Sequence, residues 1–456
     1  MNTFSMKNVL KKNVMTIALF ASYFLFAVLA LVLKNTDMFD PSIVTSLIEQ
    51  NAYVYILGSG MLMCMLTGGN IDLSVGSVVC FIGAVVGLFS LENKIIKMPL
   101  STPMVLLIAI GIGVAYGAIL GFLIAYVRIP PWIATLAGYL AFRGLGTQIL
   151  TTASDTSAIS LPKFDGQLDL FDIFAGRLFE TDWGVLNIPC VAIGVLGAAA
   201  VVFINLYSRS SKIKKGYKAD PKWFVILKSC LISAVILFFT IKFALDGGMP
   251  VVVLWILAVL IIYGIITEKT TIGRHFMTVG GNAEASRLSG INNKRVMFFA
   301  YLNMAVLTVI AALIVTVRTG AANSFAGQEY ELDAIAACIV GGVSAYGGAG
   351  TIVGMVIGAT LIGVINQGMF LIGVDQNWIK IVKGLVLLAA VVFEILSKQG
   401  KKAKKEVKPK KVNAEAEGEA EAEPAAEEAS ALEETVVSEE TEAAPVPDAG
   451  LATNET

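Results

Sequence analysis

The chain has 456 residues, 56% of them hydrophobic and 15% charged, with a mean hydropathy of +0.75. A soluble domain cannot bury that much apolar surface, so the composition points to an integral membrane protein. The net charge is close to zero, but seven lysines stand in residues 401–411 and fourteen acids, with no lysine or arginine, in 412–456. The first 400 residues therefore carry a basic excess. It is scattered over separate loops, which excludes a nucleic-acid-binding face and fits the basic bias of cytoplasmic loops.

Lys7, Lys11 and Lys12 precede an apolar run at 14–33. That run is longer than a signal-peptide core and reads as a retained first transmembrane helix. Further apolar runs fall near 53–67, 74–90, 103–127, 132–150, 186–207, 223–243, 250–267, 296–318, 334–346, 351–373 and 378–397. The expected fold is all-α, a polytopic membrane protein with about ten transmembrane helices plus short broken ones. The short runs are 53–67 and 334–346. A glycine-rich break follows each, GGNIDLSVG and GGVSAYGGAG, and then a glycine-spaced helix, SVVCFIGAVVGLFS and TIVGMVIGATLIGVI. One motif used twice implies two related halves, and paired broken segments are the usual pointer to a transport site.

Loop charge gives the orientation. SRSSKIKKGYKADPK (208–222) is strongly basic, and Lys269, Arg274, Arg287, Lys294 and Arg295 mark a second basic loop, so both are expected in the cytoplasm. An even number of spans separates them, so the two assignments agree. Both termini are then cytoplasmic and 151–185 external. The chain divides into a transmembrane domain, 1–400, a basic juxtamembrane segment, 401–411, and a tail, 412–456. The tail is rich in Ala and Glu without an aromatic residue, and is expected to be disordered.

There is no GxxxxGK[ST] loop, no HExxH and a single histidine, His275, so neither an ATP site, a metal site nor a catalytic site is expected on this chain. Cys64, Cys80, Cys190, Cys230 and Cys338 all lie in apolar runs and read as buried small hydrophobes. Gly113, Gly117 and Gly121, and again Gly354 and Gly358, recur every four residues, the spacing of closely packed membrane helices.

Polar groups at membrane depth are the candidates for a substrate path. Asn70, Asp72 and Ser74 stand at a helix start, where Asp72 either caps the helix or lines the path. Arg143 either pairs with a carboxylate or snorkels outwards. Asn366 and Gln367 interrupt an apolar helix and serve either a hydroxyl-rich substrate or helix–helix contact. Glu329, Glu331 and Asp333 precede a span on the expected outer side, where they greet a partner protein or form a solvated loop.

Residues 273–295, GRHFMTVGGNAEASRLSGINNKR, form a long polar stretch in this oily chain. Asn282 is a good N-cap, Glu284 suits the first turn, Arg287 the last, and Gly290 the C′ position. The resulting helix, 283–289, is too short to be stable alone and needs a docking surface. A chain without its own ATPase can offer such a helix to a separate motor subunit, although an ordinary loop gives the same pattern.

GGNIDLSVGS, TLAGYLAFRG, GGNAEASRLSGIN, LDAIAACIVGG and GGAGTIVGMVIGA together resemble sugar-importing ABC transporter permeases. The likeness is greatest to the xylose and multiple-monosaccharide branch of the ribose/galactose/xylose family. It covers most of 50–145 and 250–395, is weak over 151–222 and absent from the tail. The resemblance implies a permease subunit that binds no cofactor itself. It implies a second permease copy, a cytoplasmic ATP-binding subunit, and an extracytoplasmic sugar-binding protein that delivers a monosaccharide. The family's cytoplasmic loop maps onto Gly281, Asn282, Glu284 and Gly290, so Gly281, Asn282, Ala283, Glu284, Ala285, Arg287, Leu288, Ser289 and Gly290 are the expected ATPase-coupling segment. The alternative is a self-sufficient secondary transporter or channel, with Asp72 as its coupling carboxylate.

Overall fold

The computed structural model describes residues 14–154, 156–161, 169–179, 186–217 and 221–406. The tail 412–456 lies outside the described residues. The described residues up to Gly400 form one compact unit.

In chain order the helices begin with α1 (Val14–Lys34), α2 (Pro41–Gln50), α3 (Ala52–Leu66) and α4 (Val75–Ser90). Then come α5 (Thr102–Phe122, extended by a π-turn to Val127), α6 (Pro131–Ser154), the short α7 (Leu170–Phe174), α8 (Ile188–Lys214) and α9 (Lys222–Leu245). The second half holds α10 (Val251–Lys269), α11 (Thr271–Gly281), α12 (Ala283–Leu288), α13 (Asn293–Thr319), α14 (Tyr330–Val340), α15 (Ile352–Leu371) and α16 (Gln376–Glu406).

At the centre is α3. All 15 of its residues are buried. It is apolar all round, which suits a helix enclosed by protein on every side. Around it stand α10, α13, α14 and α15, with α11 at its C-terminal end. The glycine-spaced face of α5 lies against α13. A Cβ at Gly117 would sit 2.6 Å from the Ala305 Cβ, and one at Gly121 would sit 2.8 Å from the Phe298 carbonyl oxygen. Gly354 and Gly358 do the same for α15 against α14. In lipid, where tails compete equally for apolar side chains, this close backbone approach is what holds helices together.

At the periphery, α1 packs on α15, while α8 and α9 pack on each other and reach the rest through α2. Phe24, Leu196, Phe203 and Leu231 are exposed there, as expected where hydrocarbon is the solvent. Cys230 is exposed on α9 too, which corrects the expectation that all five cysteines are buried.

Among the described residues, seven helices are long and apolar enough to cross a bilayer: α1, α5 with its π-turn, α8, α9, α10, α13 and α15. The expected count of about ten is not confirmed among the described residues. Of the ten full-length runs, α4 has only 16 residues, α6, although 24 residues long, is diluted by Gly, Thr, Arg143 and Gln148, and 378–397 lies on α16, part of whose side chains fall outside the described residues; the two short runs, α3 and α14, have 15 and 11 residues. The fold is also not purely helical. Strand β1 (Ala158–Ser160) pairs antiparallel with β4 (Ala321–Asn323), and β2 (Arg177–Leu178) with β3 (Met249–Pro250). Both ladders tie connecting loops to the bundle.

Candidate functional site

The two glycine-rich breaks meet, and the polar segment meets both. After α3 the chain turns through residues 67–74, and after α14 through 341–350. The Gly348 amide donates to the Leu66 carbonyl at 3.1 Å, joining the second break to the end of α3. Gly69 has φ +74° and lies so close to the Ala345 carbonyl oxygen that a Cβ would overlap it. The end of α11 fills the remaining side. A Cβ on Gly280 would overlap the Leu66 carbonyl oxygen and stand 2.7 Å from the Gly348 nitrogen and 2.8 Å from that of Gly68. Three backbones therefore touch where only glycine fits.

From this junction α12 projects. The Asn282 Oδ1 accepts from the Ala285 amide at 3.0 Å, the expected N-cap. Gly290 has φ +82°, and the Ile291 amide donates to the Ser286 carbonyl at 3.1 Å, closing the C-terminal turn. Glu284 and Arg287 form an exposed ion pair at 2.6 Å, which contributes little to stability. Leu288 is 78% exposed. The helix ends at Leu288, with Ser289 as its C-cap, one residue earlier than expected. It is also preceded directly by α11, a helix absent from the sequence reading.

Asn70, Asp72 and Ser74 follow just beyond the junction, where Asp72 and Ser74 bond to each other and Asn70 turns back to Thr67. The Asn70 amide donates to the Thr67 carbonyl at 3.2 Å. Asp72 and Ser74 are 1% and 0% exposed. The Asp72 carboxylate accepts from the Ser74 amide at 2.9 Å and from its hydroxyl at 2.5 Å, so it braces the residue that opens α4. Tyr116 on α5 donates to the Ser74 hydroxyl and closes this network. Asn366 and Gln367 lie elsewhere, on α15 one turn beyond Gly363, which packs on Asn51 at the start of α3.

At the opposite end of α3 is a second charged cluster. Arg143 neither pairs with a carboxylate in a direct bridge nor snorkels; its Nη1 donates to the carbonyls of Ser324 and Ala326 at 3.0 and 2.7 Å. Glu329 meets Lys380 at 3.0 Å. Asp333 is 2% exposed, accepts from the Tyr53 hydroxyl at 2.6 Å and pairs with Lys383 at 3.0 Å. Tyr53 stacks on Tyr330 with centroids 3.6 Å apart. Glu331 is buried, at 7% exposure. Of the three acids expected to greet a partner, only Glu329 reaches the rim. Tyr53, Tyr116 and Lys383 were not foreseen, because each lies tens to hundreds of residues from its partner.

The chain has relatives of known type. The family profile described as "Branched-chain amino acid transport system / permease component" matches residues 43–391. The xylose transport system permease protein of Haemophilus influenzae is 34% identical, over 78% of this chain and 89% of that protein. The xylose transport system permease protein of Escherichia coli K12 is 34% identical over 78% of this chain and 85% of its own length. The ribose import permease protein of the same strain is 29% identical over 76% and 84%. No solved structure matches significantly. A profile spanning most of its length and permeases at these identities establish that the chain belongs to the branched-chain amino acid transport system / permease component family.

Proposed function

We propose that this chain is the membrane-spanning subunit of an ATP-driven importer of monosaccharides, working with a separate ATP-binding subunit. The observation that carries this reading is the contact of Gly280, at the end of α11, with both glycine-rich breaks. A motor that grips α12 (Gly281 to Gly290) acts through that contact on the ends of α3 and α14. The sugar class is taken from the relatives named for xylose and ribose.

In this reading α12 faces the cytoplasm, as the loop charges imply, both termini lie on the same side, and the chain is a multi-pass protein of the cell membrane. The two helix–break–helix units, α3–α4 and α14–α15, are then related halves whose breaks move together. Asn70, Asp72, Ser74, Arg143, Asn366 and Gln367 contribute to the sugar path, and two permease copies pair around it. An external sugar-binding protein docks at the rim marked by Glu329, with Glu331 and Asp333 behind it. The chain itself binds no cofactor; ATP belongs to the partner subunit.

The test is to co-purify the chain with candidate ATP-binding subunits and to measure ATP hydrolysis with candidate sugar-binding proteins, loaded and empty. Stimulation by a loaded binding protein is expected. Gradient-driven sugar flux through this chain reconstituted alone, without an ATPase, would overturn the reading.

A further inference from the structure

Two charged side chains each leave one buried polar atom unpartnered, and both border the same turn of chain, residues 324–327. Arg143 spends its Nη1 on the carbonyls of Ser324 and Ala326, while its Nη2 is buried without a hydrogen-bond partner. Glu331 is 7% exposed, and its Oε2 is likewise buried without a partner. The Glu331 Oε2 lies against Gly76 together with the Gly327 carbonyl, so close that a Cβ at residue 76 would overlap both oxygens. Gly76 is in the first turn of α4, two residues past Ser74, and Arg143 and Glu331 act on each other electrostatically. Aromatic residues adjoin both in sequence. Phe142, next to Arg143, lies 5.0 Å from Phe81 and 4.6 Å from Tyr116 by centroid, and Tyr330, next to Glu331, stacks on Tyr53.

A buried donor and a buried acceptor left open are costly unless something uses them. One is a guanidinium N–H and the other a carboxylate oxygen. A sugar hydroxyl accepts from the first and donates to the second at once. We propose that Arg143 and Glu331 form a hydroxyl-recognition pair on the translocation path and set which sugars pass. This rests on the importer reading above. It also moves Glu331 from the docking rim to the path itself. Gly76 is part of the site, because any side chain there displaces the carboxylate.

The test is uptake of radiolabelled D-xylose and D-ribose in cells carrying the complete transporter, with monodeoxy sugars as competitors, for the wild type, Glu331→Gln, Arg143→Met and Gly76→Ala. Quantities are normalised to permease present in the membrane. Glu331→Gln keeps shape and volume, so it is the variant that reports on recognition. Its charge-assisted hydrogen bond becomes a neutral one, of roughly half the strength. Its KM is expected to rise about tenfold, which corresponds to about 1.4 kcal/mol. Its preference for the intact sugar over the deoxy sugar lacking the contacted hydroxyl is expected to collapse, an effect that a purely structural role would not produce. Arg143→Met and Gly76→Ala are expected to lower uptake at least as far. A Glu331→Gln permease with wild-type KM and wild-type deoxy-sugar discrimination overturns the pair while leaving the importer reading intact. A wild-type transporter that assembles with its ATPase and moves no sugar overturns the importer reading itself.

Discussion

Replacing Asp333 with alanine removes more than a single contact. Its carboxylate, 2% exposed, accepts from the Tyr53 hydroxyl at 2.6 Å and pairs with the Lys383 Nζ at 3.0 Å. Both partners are left in the interior, since Tyr53 is 8% exposed and the Lys383 side chain 21%. Breaking a buried ion pair from one side costs about 3–5 kcal/mol, because the remaining charge loses its compensation. Lys383 keeps some access to solvent, so the lower end, about 3 kcal/mol, is expected for Asp333→Ala. Lys383→Met is milder, because Asp333 keeps its hydrogen bond from Tyr53. In Asp333→Ala with Lys383→Met no charge is stranded, and the double variant is expected to be more stable than the sum of the two singles by about 1.5 kcal/mol.

The assay is reversible unfolding of the purified chain in mixed micelles with a rising fraction of SDS, for the wild type, both singles and the double. Additivity within about 0.5 kcal/mol would refute the reasoning. It would mean that Lys383 reaches Asp333 without holding it, and that the start of α16 is not tied to α14 by charge.

Other outcomes follow from the same geometry. Gly280→Ala drives a methyl group into backbone atoms of both breaks, so uptake per inserted permease is expected to fall at least tenfold, about 1.4 kcal/mol or more in effective coupling. Gly117→Leu overpacks α5 against α13 and is expected to cost about 3 kcal/mol in the SDS assay, whereas Gly111→Ala, with nothing within 4 Å, is expected to be neutral. Asn282→Ala removes the cap of α12 at a cost of about 1 kcal/mol, read as faster amide exchange at Ala285. Truncation after residue 411 is expected to leave uptake and membrane level unchanged, because the acidic tail contains nothing that can build a core.

Local features were legible in the sequence and distant ones were not. The cap of α12 is set by residues three apart, Asn282 and Ala285, so its chemistry could be read directly. The four-residue glycine spacing of α5 foretold its close packing, although not its partner, α13. Asp72 bracing Ser74 is equally local, but the tyrosine that completes the network is 42 residues from Ser74. The Tyr53–Asp333 hydrogen bond spans 280 residues, and no periodicity encodes it. Helix α11 escaped notice because Gly273, Gly280 and Gly281 read as loop residues. The glycines at 273 and 280 are there for close backbone approach, which tertiary contact dictates over local propensity. The span count of about ten is confirmed only in part, for a related reason. Length and hydropathy detect helices that face lipid, whereas α4 is short and largely buried and α6 carries polar residues along its length.

Close backbone contact at the junction also bears on how motion crosses the protein. Where two elements touch through side chains, a small displacement is absorbed by a change of rotamer. Gly280, Gly68 and Gly348 have no side chain to yield, and the Gly348 amide is bonded to the Leu66 carbonyl. A shift of α11 therefore either moves the ends of α3 and α14 or breaks the contact outright.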